Sequence, residues 1–199
     1  MKIFENKIIE GLSKVNPLVP MIIWFPLIIL FLIISRWTYE MSLSFLSLLF
    51  LCGLFLWTAL EYFLHRFVFH FSAKSKQMKR IVFILHGNHH VEPNDVLRGL
   101  MPPLPAAVIA LCVWAAYRFC FSAGEALSLL AGTLFGYLLY DYLHFSFHNM
   151  SFRFPLWKKL RNYHFKHHAE PYHHFGVSSP LWDLLAKVKV HREISKETL

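Results

Sequence analysis

Charge is scarce in this sequence. Of its 199 residues only 16% are Asp, Glu, Lys or Arg, against 56% hydrophobic, where a soluble domain carries about one quarter charged residues. That shortfall excludes a solvated or disordered chain and makes lipid part of the solvent. Cysteine is scarce as well: Cys52, Cys112 and Cys120 are the full set, all in apolar stretches. They exclude a disulfide framework and a thiolate zinc site, and read as small buried hydrophobes. A glycine-rich phosphate loop, a nucleophile elbow and a Cys-x-x-Cys pair are all missing. So is the Glu that a zinc metalloprotease helix places directly after its first His, since Gly87 follows His86 and Phe165 follows His164. Hydrolytic chemistry has little to stand on here, and no solenoid-type repeat is present.

What is present begins with four apolar runs, residues 18–35, 43–60, 104–121 and 126–143. Each is near the roughly 17–25 residues that a bilayer core requires. Pro20 and Pro26 start or kink the first, and the very short links at 36–42 and 122–125 make two hairpins. Of the 20 lysines and arginines, all but Arg36 and Arg118 then fall on one side of the membrane. By the positive-inside rule that side is cytoplasmic, with both termini on it. The net charge of +8 is thus a membrane flank rather than a nucleic-acid surface. The first run follows a charged stretch and lacks a small-residue cleavage site, so it reads as a retained anchor. Ile3, Phe4, Ile8, Ile9 and Leu12 share one helical face and predict an interfacial helix. The stretch 152–163, with Trp157 among Lys158, Lys159 and Arg161, predicts another.

Histidine, with 13 copies, carries the chemistry. Ten fall in four clusters on the cytoplasmic side: His65 and His70; His86, His89 and His90; His144 and His148; His164, His167 and His168. Positions i, i+3 and i+4 of a helix share a face, so His144 with His148, and His86 with His89 and His90, each aim at a common point. The i, i+5 pair His65 and His70 does not share a face on an ideal helix and predicts a helix end or a bulge. Ten imidazoles exceed one ion's needs, and two metals with about five ligands each is the simplest partition. Glu61, Glu92, Asp141 and Asp183 are the acids close to the clusters. Asp141, three residues before His144, is the candidate for orienting an imidazole from outside the ligand set. His173, His174 and His191 stand apart from the clusters, with no role read for them.

Histidine boxes of this kind at the ends of hydrophobic hairpins resemble the membrane di-iron oxygenases of the fatty acid hydroxylase and sterol desaturase superfamily. The context resembles the fatty acid 2-hydroxylases in particular. It includes Glu61 to His70, Leu85-His86-Gly87 through His90, Met101-Pro102-Pro103, Tyr140-Asp141 before His144 and His148, and Tyr163 through His168 ending in Phe175-Gly176-Val177 and Trp182-Asp183. The resemblance covers roughly residues 17–185. It implies that the ten clustered histidines are the ligands of two iron ions, which zinc can replace in purified protein. It also implies dioxygen as cosubstrate and hydroxylation at carbon 2 of a long-chain fatty acid or sphingolipid acyl chain. Many relatives begin with a cytochrome b5 domain. Here 17 residues precede the first span, so a separate electron donor is expected, such as cytochrome b5 or a ferredoxin-type protein with its reductase. Where relatives often carry Gly before Phe-Gly-Val, this chain has His174.

The expectation is therefore an all-α, integral membrane four-helix bundle of two hairpins with a cytoplasmic helical cap carrying a histidine-rich dimetal site, one domain over residues 1–199. It would sit in the endoplasmic reticulum membrane of a eukaryote or the inner membrane of a bacterium. Metals at the ends of the second and fourth spans would lie near the headgroup plane, within reach of carbon 2. The sequence also allows a desaturase or a sterol or carotenoid oxygenase on the same scaffold, a metal transporter, and a scaffold protein holding zinc. A transporter would place ionisable ligands at mid-depth, whereas the interiors of the four runs hold no His, Asp or Glu except Asp141 near an end.

Overall fold

The computed structural model describes residues 2–186; His191 lies outside them. In chain order come α1 (Lys7–Leu12), α2 (Val19–Trp37) and α3 (Leu43–Phe63), which runs on into a π-helical turn (Leu64–Phe69). Next are α4 (Lys76–Val82), a second π-helical turn (Phe83–Gly87) and α5 (Asn88–Val91). The remainder is α6 (Pro103–Cys120), α7 (Ala123–Asn149), α8 (Pro155–Ala169) and α9 (Leu181–Leu185). Among the described residues there is no strand.

Four helices are long and apolar enough to cross a bilayer: Val19–Trp37, Leu43–Phe69, Pro103–Cys120 and Ala123–Asn149. They mark an integral membrane protein. Local chemistry fixes their starts. Pro20 opens α2, where a missing amide donor costs nothing. The Ser42 hydroxyl accepts from the Phe45 amide at 3.3 Å to cap α3, and Ser122 with Glu125 forms a capping box on α7. The second and fourth spans continue past the apolar runs by about two turns, because their ends are covered by protein instead of lipid. Phe69, Phe145 and Phe147 are all buried.

The bundle is organised around α7, against which α2, α3 and α6 all pack. A Cβ at Gly132 would fall on the Phe50 carbonyl, and one at Gly53 on the Leu129 carbonyl. The backbones of α3 and α7 therefore meet directly, the close approach that small residues permit in membranes. Ser35 of α2 donates to the Gly124 carbonyl of α7 at 3.0 Å. By contrast α6 buries only Ala106 and turns Leu104, Leu111 and Phe119 outward.

Three expectations change. The cysteines are exposed on the outer faces of their helices, lipid-facing apolar residues instead of core ones. The amino-terminal helix is only Lys7–Leu12, with Ile8, Ile9 and Leu12 exposed. Ile3 and Phe4 lie outside it, their amides donating to Glu10 at 3.0 Å. And α8 is no interfacial helix at Trp157: that indole is buried and donates to the Ser146 hydroxyl at 2.9 Å, pinning α8 to the end of α7.

Candidate metal centre

Each pair and each box of histidines sits where its helix geometry dictates. Between His65 and His70 the helix widens: the His70 amide donates to the His65 carbonyl at 3.1 Å, a five-residue turn that brings both rings to one side. The predicted bulge is this π-helical turn. A second one, over Phe83–Gly87, carries His86. His144 and His148 lie four apart at the end of α7, and His164, His167 and His168 on the last turns of α8.

The ten rings form two sets of five. His65, His70, His86, His90 and His167 make the first, and His89, His144, His148, His164 and His168 the second. Within each set the five ligand nitrogens lie within 4.8 Å of one another. The expected two-by-five partition is present, with one correction. His86, His89 and His90 do not aim at a common point: the i, i+4 pair His86 and His90 enters the first set, while His89 turns to the second. The other box does the reverse, His164 and His168 entering the second and His167 the first. Each half of the chain thus supplies four imidazoles to one set and one to the other. The sets touch, with His90 and His168 ring centroids 4.4 Å apart.

Protonation follows from surroundings. The His65 Nδ1–H donates to the Phe175 carbonyl at 2.6 Å and the His167 Nδ1–H to the His173 carbonyl at 2.7 Å, so both leave Nε2 as a lone pair aimed inward. Burial, then repulsion from neighbouring rings, holds His86, His89, His164 and His167 well below the ordinary imidazole value. Burial with His90 nearby brings His70 to about 4, and burial alone brings His90 to about 4. Neutral imidazole is the form that binds metal.

The residues fit such an ion. Nε2 approaches Nε2 at 3.0 Å for His65 and His86, 3.0 Å for His167 and His70, and 2.8 Å for His148 and His164. The Nε2 atoms of His65 and His167, already fixed as acceptors, are offered to an ion at the centre of their set. The buried His144 Nε2 has no hydrogen-bond partner. Imidazole-only sets suit iron, zinc or copper over hard cations.

An apolar cavity of about 590 Å³ opens onto the rings, walled by residues such as Phe4, Leu100 and Ile109 and ending on His86, His89 and His144. Both sets face it, and its volume lies in the range of about 300–1,000 Å³ of small-molecule sites.

Residues 50–187 match the fatty acid hydroxylase family. This chain belongs to that family. A dihydroceramide fatty acyl 2-hydroxylase of Arabidopsis thaliana is 34% identical over 92% of this chain and 77% of its own length. The human fatty acid 2-hydroxylase is 34% identical over 92% of this chain and 55% of its own. The yeast ceramide very long chain fatty acid hydroxylase SCS7 is 36% identical over 88% and 46%. The chain thus spans about half the length of these animal and fungal relatives. A solved structure described as full-length scs7p, with only the hydroxylase domain visible, superposes with a TM-score of 0.86 at 34% identity. It covers 92% of this chain and 70% of that one. The family is metal-dependent, and its fold is the one seen here.

The acids near the site divide differently from expectation. Asp141 does not orient an imidazole directly. It accepts from the Met101 amide at 3.2 Å and the Tyr137 hydroxyl at 3.1 Å, holding the start of the segment that leads into α6. Glu61 and Asp183 instead hold the segment 175–178. Glu61 accepts from the Val177 and Ser178 amides at 2.6 and 2.9 Å and from the Ser178 hydroxyl. Asp183 accepts from the Phe175 and Gly176 amides at 3.0 and 2.7 Å. One signal for Glu61 was in the sequence: an acid closing an apolar run, four residues before His65 and so on its face. His173 and His174 belong to neither set, although the His173 carbonyl serves His167.

Proposed function

We propose that this protein is a membrane lipid hydroxylase that inserts oxygen at carbon 2 of a long-chain fatty acid or of a sphingolipid acyl chain. The observation that carries the reading is the pair of five-imidazole sets meeting at the end of one apolar cavity. Each set takes one iron ion, with the ten clustered histidines as ligands. The two irons supply the activation of dioxygen. One oxygen atom enters the C–H bond and the other leaves as water, a balance that takes two electrons from a separate redox protein and two protons from the aqueous medium.

The chain's own residues do the rest. The cavity wall takes the acyl chain out of water and lays it along Leu100 and Ile109 toward His86, His89 and His144. The cavity starts where the apolar spans give way to the helix ends bearing the rings, so the head of a lipid reaches the metals before its tail. Attack near the carboxyl end needs no bent tunnel. The charge distribution along the chain supports a cytoplasmic face for both termini and the metal centre.

The test is lipid mass spectrometry of cells expressing the intact chain or a variant lacking His89. A gain of one oxygen on the acyl chain, placed at carbon 2 by fragmentation and absent with His89→Ala, is the expected result. Loss of two hydrogens would make the protein a desaturase instead.

A further inference from the structure

The two sets of rings are braced differently. Residues 173–178 form a strap across the first set alone, and its carbonyls at His173 and Phe175 receive the Nδ1–H of His167 and His65. The strap is anchored to the same helices that carry these two histidines. Glu61, one turn before His65, takes the amides of Val177 and Ser178 on one carboxylate oxygen and the Ser178 hydroxyl on the other. Asp183, at the start of α9, takes the Phe175 amide on one oxygen and the Gly176 amide on the other. It also lies close enough to Tyr163 on α8, four residues before His167, to add to burial in raising the pKa of that phenol. Trp182 adds a tie, its indole N–H donating to the Thr58 hydroxyl of α3 at 3.0 Å. Both carboxylates are buried, Glu61 at 3% and Asp183 at 8% exposure, where an acid persists only if its oxygens are occupied. In the second set the His164 Nδ1 is buried without a partner.

We infer that Glu61 and Asp183 are positioning residues of the first metal site only, acting through the 173–178 strap to hold the His65 and His167 rings as inward-facing Nε2 ligands. This rests on the two-metal reading above. The two acids differ in what an amide can replace. A glutamine at 61 can keep its oxygen on the two backbone amides and turn its NH₂ to the Ser178 hydroxyl. An asparagine at 183 must point its NH₂ at one of two backbone N–H groups, leaving that donor unpaired.

The experiment is metal titration of the purified full chain with ferrous iron under anaerobic conditions against a graded chelator, counting equivalents and affinities. The wild-type chain binds two equivalents. Asp183→Asn weakens one of them about 10- to 100-fold, the usual effect of losing an outer hydrogen bond, and leaves the other unchanged; Glu61→Ala, which removes both acceptor oxygens, weakens the same equivalent, and Glu61→Gln restores it to within a few-fold of wild type. Combination with ligand variants assigns the weakened site. Asp183→Asn added to His164→Ala, which disables the second set, lowers the affinity of the remaining ion. Added to His65→Ala, it changes nothing more. Two full-affinity equivalents in Asp183→Asn, or equal weakening of both, overturns the inference while sparing the two-metal reading. Fewer than two equivalents in the wild-type chain overturns both.

Discussion

The two imidazole sets have the same inventory and opposite surroundings. Each takes a pair from the end of a span, an i, i+4 pair from a helix outside the spans and a single ring from the other box. The second set is built mostly on α7 and α8, helices locked together by Trp157 and by Arg161, whose Nε donates to the Phe147 carbonyl at 2.8 Å. The first depends on two π-helical turns and on a strap from distant sequence. Regular helix supplies its own geometry; a widened turn needs outside support. In the first site a distant segment therefore braces two of the rings directly, whereas in the second the rings are placed by helices that are tied to each other.

The strongest test of that comparison removes one ligand from each set. His65→Ala and His164→Ala should each cut hydroxylated product by at least about 100-fold, because loss of a ligand exceeds the 10- to 100-fold typical of its supporting contacts. Bound iron should fall from two equivalents to one in both, measured by elemental analysis. Substantial turnover with either set disabled would mean that the sets do not act as a pair. Next in size is Gly176→Ala. A Cβ there would fall on the Ser179 carbonyl and 3.1 Å from the Asp183 carboxylate, so the strap must shift. Activity should drop about 10-fold or more, with the loss confined to the first site. An equal loss at both sites would erase the distinction between them.

The sequence shows this division only in part. The spans are legible from length and hydropathy, and the ten histidines that converge from type and spacing, because helix periodicity is a local property. The π-helical turn at His65 is legible too, since five-residue spacing conflicts with an α-helix. The one over Phe83–Gly87 is not, because His86 and His90 keep their four-residue spacing through it. The exchange of His89 and His167 between sets depends on how two helices face each other, which no window of sequence encodes. The roles of Asp141 and Asp183 were hidden for the same reason. Asp141 sits beside His144 in sequence yet bonds Met101, while Asp183 bonds residues that reach His65, more than a hundred positions away. Trp157 misled because an aromatic among basic residues reads the same at a headgroup surface and in a packed helix junction.

Both sets share the cavity, and its amino-terminal wall offers a smaller test of whether they also share the substrate. Arg98, 4% exposed, holds Glu10 at 2.6 Å and the Ser13 hydroxyl at 2.8 Å, and so fixes the segment bearing Phe4 over the cavity. Arg98→Ala should raise KM for lipid about tenfold or less, at most the size of one ordinary hydrogen bond because the loss reaches the lipid only through the Phe4 segment, and leave kcat and iron content unchanged. A fall in kcat instead would tie Arg98 to one of the ring sets. The Phe4 amide, then the Ile3 amide, Arg98 and Lys14, outweigh burial and bring Glu10 to about 2. A folded value below the ordinary 4.5 means that its hold is complete above that pH and is lost as pH falls through about 2. Hydrogen exchange at the Ile3 and Phe4 amides should lose protection across that window, and Glu10→Gln should remove the dependence.

The smallest effect belongs to the first residues of the strap. His174 has φ 61, a left-handed conformation that costs a residue with a Cβ about 1–2 kcal/mol. Its ring meets Tyr163 edge-on at 4.8 Å, a contact worth about 0.5–1.5 kcal/mol, which offsets much of that strain. His174→Ala keeps the strain and loses the contact, so it should lower Tm by about 2–4 °C per kcal/mol lost. His174→Gly loses both, and should leave Tm near the wild-type value despite removing the same ring. If alanine and glycine lower Tm equally, the backbone there is relaxed. The strap would then owe its shape to its anchors, Glu61 and Asp183, rather than to any cost stored at its first turn.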